Sequence, residues 1–453
     1  MAVIGLDDTD SRDRGMCTTY LAARIAARLR ERGHRVDRSI LLRLNPAIEF
    51  KTRGNAALAI RTDCDRKEAF GLAREAIDAA AETDDPNTNP GLVVAPDADV
   101  SPAIAEFSVR TLCDRLAIAD AREACKAAGF AYRGWDNGRG LIGALAAVGS
   151  RRAFSEWTVE RIAYREPKRW GTRRTVDPDS VFAAAERGYP ATWDTVDRGE
   201  REVVCVPRTP CPVLFGVRGD DPDAVSEVAA AIDAEPVERA ETFLTNQGTD
   251  AHLRDGSIRS VENGRNYRLS GTVASAPETR RGGHVFFALA DDGSNSISND
   301  GSGDDVSLDT ADAGSRVHDD EANATAPRLD CVAFEPTKRF RDRVRALRVG
   351  DSLTVCGEVS GGTLKLEKFA ARDLVRSERV TPTCPVCERS MESAGRDQGY
   401  RCRDCGTHRE GKASRTLDRD LELGWYEVPP RARRHVAKPL VRGGFDAPTH
   451  PER

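Results

Sequence analysis

Asp7, Asp8 and Asp10 stand almost side by side near the start of this chain, and Gly15 and Thr18 follow them closely. Carboxylates so placed suit Mg²⁺, which keeps several waters and takes the rest of its shell from substrate phosphates. Ser11 adds a hydroxyl to the same loop. Thr18 could ligate the metal, hydrogen-bond a phosphate oxygen or accept a phosphoryl group. Further on, Lys51 and Arg53 flank a turn with Gly54 and Asn55. Cations beside a glycine approach phosphates closely, with backbone N–H groups helping, and a nucleotide needs cations as well as a metal. Plainer readings stand beside these: an acidic loop with an N-capping threonine, and a solvated charged hairpin tip. A third cluster runs from Thr245 to His252, where Asn246, Gln247 and Asp250 surround Gly248. That density of hydrogen-bonding side chains reads as a binding loop rather than a linker. The fourth set is Cys384, Cys387, Cys402 and Cys405, two CxxC pairs separated by 14 residues. Four thiolates at this spacing fill a tetrahedral shell, so the expected metal is a structural zinc in a ribbon.

The elements that must position these groups follow from hydrophobic period and local stop signals. Residues 2–6 form an apolar run suited to a buried strand, and Leu21, Ile25 and Leu29 mark a helix that Thr18 opens and Gly33 ends. Strand, acidic loop and helix N-terminus together make a phosphate site, because the helix start offers free N–H groups and a positive dipole end. A strand over 40–44, two β-like runs bracketing 51–55, a helix over 66–81, a strand over 91–95 and two helices ending near 128 continue an alternating α/β pattern. The glycines of residues 137–143 open a small-residue helix, where they read as packing positions. Strands and helices between 157 and 244 sum to β-α-β-β-α-β, a ferredoxin-like order. Residues 266–374 read as five strands with a helix between the third and fourth, the count of an OB-fold. Phe286, Phe287, Lys338, Arg339, Phe340 and Arg343 give that unit the aromatic and cationic mix of a nucleic-acid surface, with at least one phenylalanine in the core. The stretch 291–326 is acidic and poor in apolar residues, and reads as a disordered insert. Residues 413–453 read as a basic tail with interleaved aromatics, suited to RNA.

Composition narrows the class. The chain has 453 residues, 31% of them charged and 39% hydrophobic, with a net charge of −5. Acid collects between 291 and 321 while the chain after 328 is basic, and such asymmetry suggests a polyanionic partner. Eight of the twelve cysteines are scattered singly and read as small core residues. With no leader-like or membrane-spanning run, the expected location is the cytoplasm.

The long motifs IGLDDTDSRDRGMCTTYLA, RLNPAIEFKTRGNAAL, GRGLIGALAAVG and FLTNQGTDAHL, followed by the five-stranded unit and the cysteine ribbon, closely resemble the archaeal tRNA(Ile) 2-agmatinylcytidine synthetases. The resemblance covers essentially the whole chain. It implies a multidomain α/β and α+β protein: an atypical kinase-like ATP-binding domain over 1–136, a ferredoxin-like domain over 137–255, an OB-fold over 264–376, a zinc ribbon over 380–412 and the tail. It implies an ATP-dependent C–N bond-forming ligase. That enzyme attaches agmatine to the 2-carbonyl carbon of cytidine at the first anticodon position of the AUA-decoding isoleucine tRNA, through a phosphorylated cytidine. In the family a threonine of the stretch matching Met16 to Thr19 accepts phosphate from ATP, and Thr18 is the nearest position. Asp7 and Asp8 match the acidic residues near ATP and Mg²⁺, with Asp10, Ser11, Lys51, Arg53 and Asn55 the expected neighbours of the nucleotide. The guanidinium of agmatine wants a carboxylate or polar cage, for which Asn246, Gln247 and Asp250 are candidates. Two other classes compete: a non-catalytic RNA-binding protein, and a different ATP-dependent RNA ligase or kinase. The first leaves DDTD and KTRGN without a role.

Overall fold

The computed structural model describes residues 1–13, 15–49, 54–291 and 327–453. Lys51, Arg53 and the acidic insert from 292 onward therefore lie outside the described residues.

Strand β1 (Ala2–Asp7) runs between β3 (Ala56–Thr62) and β4 (Gly91–Pro96), antiparallel to both. Its side chains alternate between two helical layers, as the pleat demands. Ala2, Ile4 and Leu6 face α1 (Thr18–Glu31) and α2 (Arg66–Ala80). Val3 faces the opposite layer, built from α3 (Pro102–Cys113), α4 (Ile118–Ala127) and α5 (Leu141–Ala153). Gly5 lies on that second side, where a Cβ would sit 2.1 Å from the carbonyl oxygen of Ala144, so α5 rests directly on the strand. Asp65 and Ser101 cap the starts of α2 and α3 through their side chains.

The sheet does not stop at the first half of the chain. Its order is β5-β4-β1-β3-β2-β11-β6-β10-β7, nine strands in one surface. Here β2 is Val36–Arg43, β5 Ala131–Gly134, β6 Thr158–Arg165, β7 Thr192–Trp193, β10 Val213–Gly219 and β11 Val237–Thr245. Every neighbour is antiparallel except β2 with β11, and that parallel pair joins the two halves. Helices α6 (Pro178–Gly188) and α7 (Pro222–Ala230) cover one face of the second half, started by Asp177 and Asp221. The sheet continues across the boundary expected at 136–137, and α5, which follows that boundary, packs on β1 before it. The run 47–49, expected as part of a strand, is a turn; β2 itself pairs with β3. Two short strands, β8 (Val196–Asp197) and β9 (Glu202–Val203), pair to close the 192–206 segment.

Strands β13 (Arg265–Val273), β15 (Val285–Ala290), β16 (Arg328–Ala333), β17 (Ser352–Ser360) and β18 (Thr363–Asp373) close on themselves. The ring runs β13-β15-β16-β18, and β17 bonds to both ends, with α8 (Phe340–Arg345) between β16 and β17. Short strands β12 (Arg254–Asp255) and β14 (Glu278–Thr279) edge it. Phe287 and Phe340 are barrel core, so only Phe286 of that expected aromatic set is partly open, beneath Arg280. Arg339 reaches Asp197 and Glu452 instead of an open surface.

The ribbon carries β19 (Ser377–Val380) paired with β23 (Ala413–Thr416), and a small sheet of β20 (Glu392–Ser393), β21 (Tyr400–Arg401) and β22 (His408–Arg409). The expected basic tail is a folded part of the barrel: β24 (Gly424–Glu427) pairs with β18, and β25 (Thr449–His450) with β24. Its cations are used internally. Arg433 is buried between Asp194 and Glu427, and Arg434 binds Glu358 and Glu367. Carboxylates on the barrel and beside the large sheet neutralise these two residues. No helix among the described residues is long and apolar enough to cross a membrane.

Candidate active site

A cleft of about 820 Å³ opens along the large sheet, and Asp7, Asp8, Asp10, Thr18 and Asn55 all line it. Asp7 ends β1 on the face that Val3 and Gly5 share, against the first turn of α5. Gly143 makes the approach possible, because a Cβ there would lie 2.0 Å from the Asp7 carboxylate. Asp8 takes a left-handed backbone with φ of 60°, which an aspartate tolerates better than most residues. The turn aims its carboxylate at Arg139, whose Nε and Nη2 donate to Oδ2 at 3.1 and 2.7 Å, while the Asn89 amide donates at 3.2 Å. The Asp8 amide in turn donates to Asp7 Oδ1 at 2.7 Å. Burial pushes the Asp8 carboxyl up to about 6 despite Arg139. Burial, then the charge of Asp8, hold Asp7 well above the ordinary carboxylate range. Among the described residues, the cation that hydrogen-bonds to Asp8 is Arg139.

Thr18 sits in the first turn of α1, and the hydroxyl of Thr9 donates to its Oγ1 at 3.1 Å. Asp10 is buried and its carbonyl accepts from Thr88. Ser11 does not line the cleft; its hydroxyl donates to Asp85 at 2.5 Å. Asn55 donates to the carbonyl of Asn45, with φ of 43°. The loop after β11 also serves the cleft from behind. Asn246 clasps the backbone of Arg43 through both its amide atoms, at 2.7 and 3.0 Å, and Gln247 accepts from Arg43 Nε at 3.1 Å. Asp250 faces the barrel, receiving Lys368 Nζ at 2.8 Å and Arg268. None of the three lines the cleft.

Arg139, Thr9, Arg43, Glu160 and Arg218 were not legible as site residues in the sequence. Arg139 had a signal of a kind, a lone guanidinium between two glycines at a helix start. Glu160 and Arg218 had none, since each is one charged position in an otherwise ordinary strand.

The second site is the ribbon. The Sγ atoms of Cys384, Cys387, Cys402 and Cys405 all lie within 4.8 Å of one another, and Cys384 and Cys405 are 3.5 Å apart. A tetrahedron with zinc–sulfur bonds of about 2.3 Å has edges of about 3.8 Å, so the donor set fits zinc.

Three family models match in chain order: the TiaS TCKD domain over residues 3–66, the TiaS FLD domain over 138–252 and the TiaS C-terminal zinc ribbon domain over 381–421. TiaS of Haloquadratum walsbyi, a 2-agmatinylcytidine synthetase acting on an isoleucine tRNA, is 54% identical over the full length of both chains. The chain belongs to this synthetase family. Solved structures of the family align along its whole length. The crystal structure of TiaS in complex with its isoleucine tRNA and ATP matches with a TM-score of 0.84 at 38% identity, covering 100% of this chain and 99% of that one. The complex of TiaS with the same tRNA, AMPCPP and agmatine matches at 0.81 and 36%, with the same coverage.

Proposed function

We propose that this chain is a cytoplasmic synthetase that joins agmatine to C2 of the cytidine at the first anticodon position of an AUA-decoding isoleucine tRNA, using ATP. The observation that carries the reading is the convergence of Asp7, Asp8, Asp10 and Thr18 in one cleft, in a family whose solved members carry an isoleucine tRNA, ATP and agmatine. The 2-carbonyl oxygen of cytosine is a poor leaving group. A phosphoryl group placed on it lets the oxygen depart as phosphate when the primary amine of agmatine bonds to C2. Phosphoryl transfer asks the protein mainly for positioning and charge neutralisation. Asp7, Asp8 and Asp10 would hold Mg²⁺, which neutralises the triphosphate when bound. Arg139 holds Asp8 in place, Thr9 orients the Thr18 hydroxyl, and Gly143 lets α5 close the site behind Asp7. Lys51 and Arg53 are offered as nucleotide cations. Asn246 and Gln247 position Arg43 rather than touch substrate.

We assign residues 1–136 a kinase-like role and 137–255 a ferredoxin-like one, the two fused through a shared sheet. The barrel over 264–376 has the five-strand closure and the intervening helix of an OB-fold, which binds single strands. The target base must leave the anticodon stack to enter the cleft. Incubation with ATP, agmatine and isoleucine tRNA, followed by mass spectrometry of nucleosides, should show conversion of one cytidine to agmatidine. An unmodified anticodon would overturn the reading.

A further inference from the structure

The far wall of the cleft holds charge that the phosphoryl-transfer chemistry leaves unused. Glu160 on β6 has a side chain only 4% exposed and holds two guanidiniums. Arg218 on β10 donates from Nε to Oε1 at 3.1 Å, and Arg43 at the end of β2 donates from Nη2 to Oε2 at 3.4 Å. The site is built tightly around that carboxylate: a Cβ on Gly216 would come within 3.0 Å of Oε1. Two cations against one anion leave a net positive wall opposite the carboxylates of Asp7 and Asp8. Arg43 is further tied by Gln247, whereas among the described residues Arg218 hydrogen-bonds only through Nε, with Asp194 a second nearby charge. Its terminal nitrogens remain for a ligand, with a quarter of the side chain exposed in the cleft. A guanidinium fixed at Nε and open at its fork is arranged for bidentate contact with a phosphate.

We propose that Arg218, aimed by Glu160, binds a substrate phosphate in this cleft; the assignment rests on the tRNA-modifying reading above. Strand order favours the RNA backbone as its source. Five strand spacings separate β1 from β10, about 24 Å across the sheet, further than one triphosphate bound at Asp7 and Asp8 reaches. The flipped cytidine brings its own phosphodiester into the cleft, and Arg218 would fix it.

The full-length protein with Arg218→Ala, with Arg218→Lys as the variant that keeps a cation for Glu160, separates the sources. Affinity for isoleucine tRNA is measured as a function of salt, and affinity for a non-hydrolysable ATP analogue is measured separately. For Arg218→Ala we expect tRNA affinity to fall about tenfold or more and the log–log salt slope to shrink by about 0.7. ATP-analogue affinity should stay within about twofold of wild type. Arg218→Lys should keep the slope and lose less affinity. Loss of nucleotide affinity with tRNA binding intact would keep the phosphate site and assign it to the triphosphate. Unchanged affinities and slope in Arg218→Ala would overturn the proposal. Wild-type protein that binds no tRNA would instead overturn the functional reading on which it rests.

Discussion

Among the described residues, Asp7 accepts a hydrogen bond from the Asp8 amide, and Asp8 faces the Arg139 guanidinium and the Asn89 amide. Two neighbouring carboxylates so placed, Asp8 buried and Asp7 partly so, repel each other, and a divalent cation on ATP phosphates would relieve the repulsion. Asp8→Ala should therefore lower agmatine transfer by about a hundredfold or more while tRNA binding persists. Thr18→Ala should likewise abolish transfer and any phosphate label acquired by the protein from γ-labelled ATP; Thr18→Ser should keep much of both. Wild-type transfer by Asp8→Ala and Thr18→Ala would place the chemistry elsewhere. Gly143 gives a sharper test of geometry. Alanine suits a helix better than glycine by about 1 kcal/mol, yet its methyl would press into Asp7. Gly143→Ala should cost activity far more than thermal stability, and equal loss of both would show that the glycine only packs. Glu160→Ala leaves the partly buried Arg43 and Arg218 without their shared countercharge, so it should destabilise the protein by about 1–3 kcal/mol, read as a lower denaturant midpoint.

At the scale of elements, the sequence disclosed what depends on short-range pattern. The strand–acid–helix opening, the five barrel strands and the ribbon spacing all announce themselves within a few residues. Pairings set by distant partners did not. The parallel bond between β2 and β11 unites segments some two hundred residues apart, and no local period encodes it. The same blindness explains the C-terminal segment: Arg433 and Arg434 look like an RNA-binding run until Asp194, Glu358, Glu367 and Glu427 are brought to them. Asn246 and Asp250 likewise read as ligand groups because Arg43 and Lys368 are remote in sequence. The ribbon, legible at once, can be tested alone. Its cysteine set should hold one zinc ion, with metal binding coupled to local folding. Cys402→Ser should release the metal and weaken tRNA binding while sparing ATP binding. Full tRNA affinity in the zinc-free variant would remove the ribbon from RNA docking.

Across the whole molecule, the loop after β11 and the C-terminal segment meet where the sheet abuts the barrel. Asp250 receives Lys368 there, and His252 and His435 pack edge to face with ring centroids 5.2 Å apart. The two imidazoles reach the carbonyls of Arg43 and Leu44 at 3.1 and 3.4 Å. Burial lowers His252 to about 4, and burial, then His252, Arg43 and Arg434, depress His435. A histidine neutral when folded and protonated when released gives the released state more bound protons between pH 4 and 6.5. Stability from His252 is therefore complete above about 6.5 and lost as the pH falls toward 4, by up to about 3 kcal/mol. Glu427 works against it: burial raises this carboxyl to about 7, so its contribution is present at acid pH and lost as the pH rises through 7. The wild-type curve thus mixes opposite slopes, and the difference from His252→Gln is the informative quantity. The stability gap between wild type and His252→Gln should be widest near pH 7 and should narrow steadily toward pH 4, followed by the thermal midpoint at each pH. Parallel curves across that range would mean that the joint accepts a protonated His252 without opening.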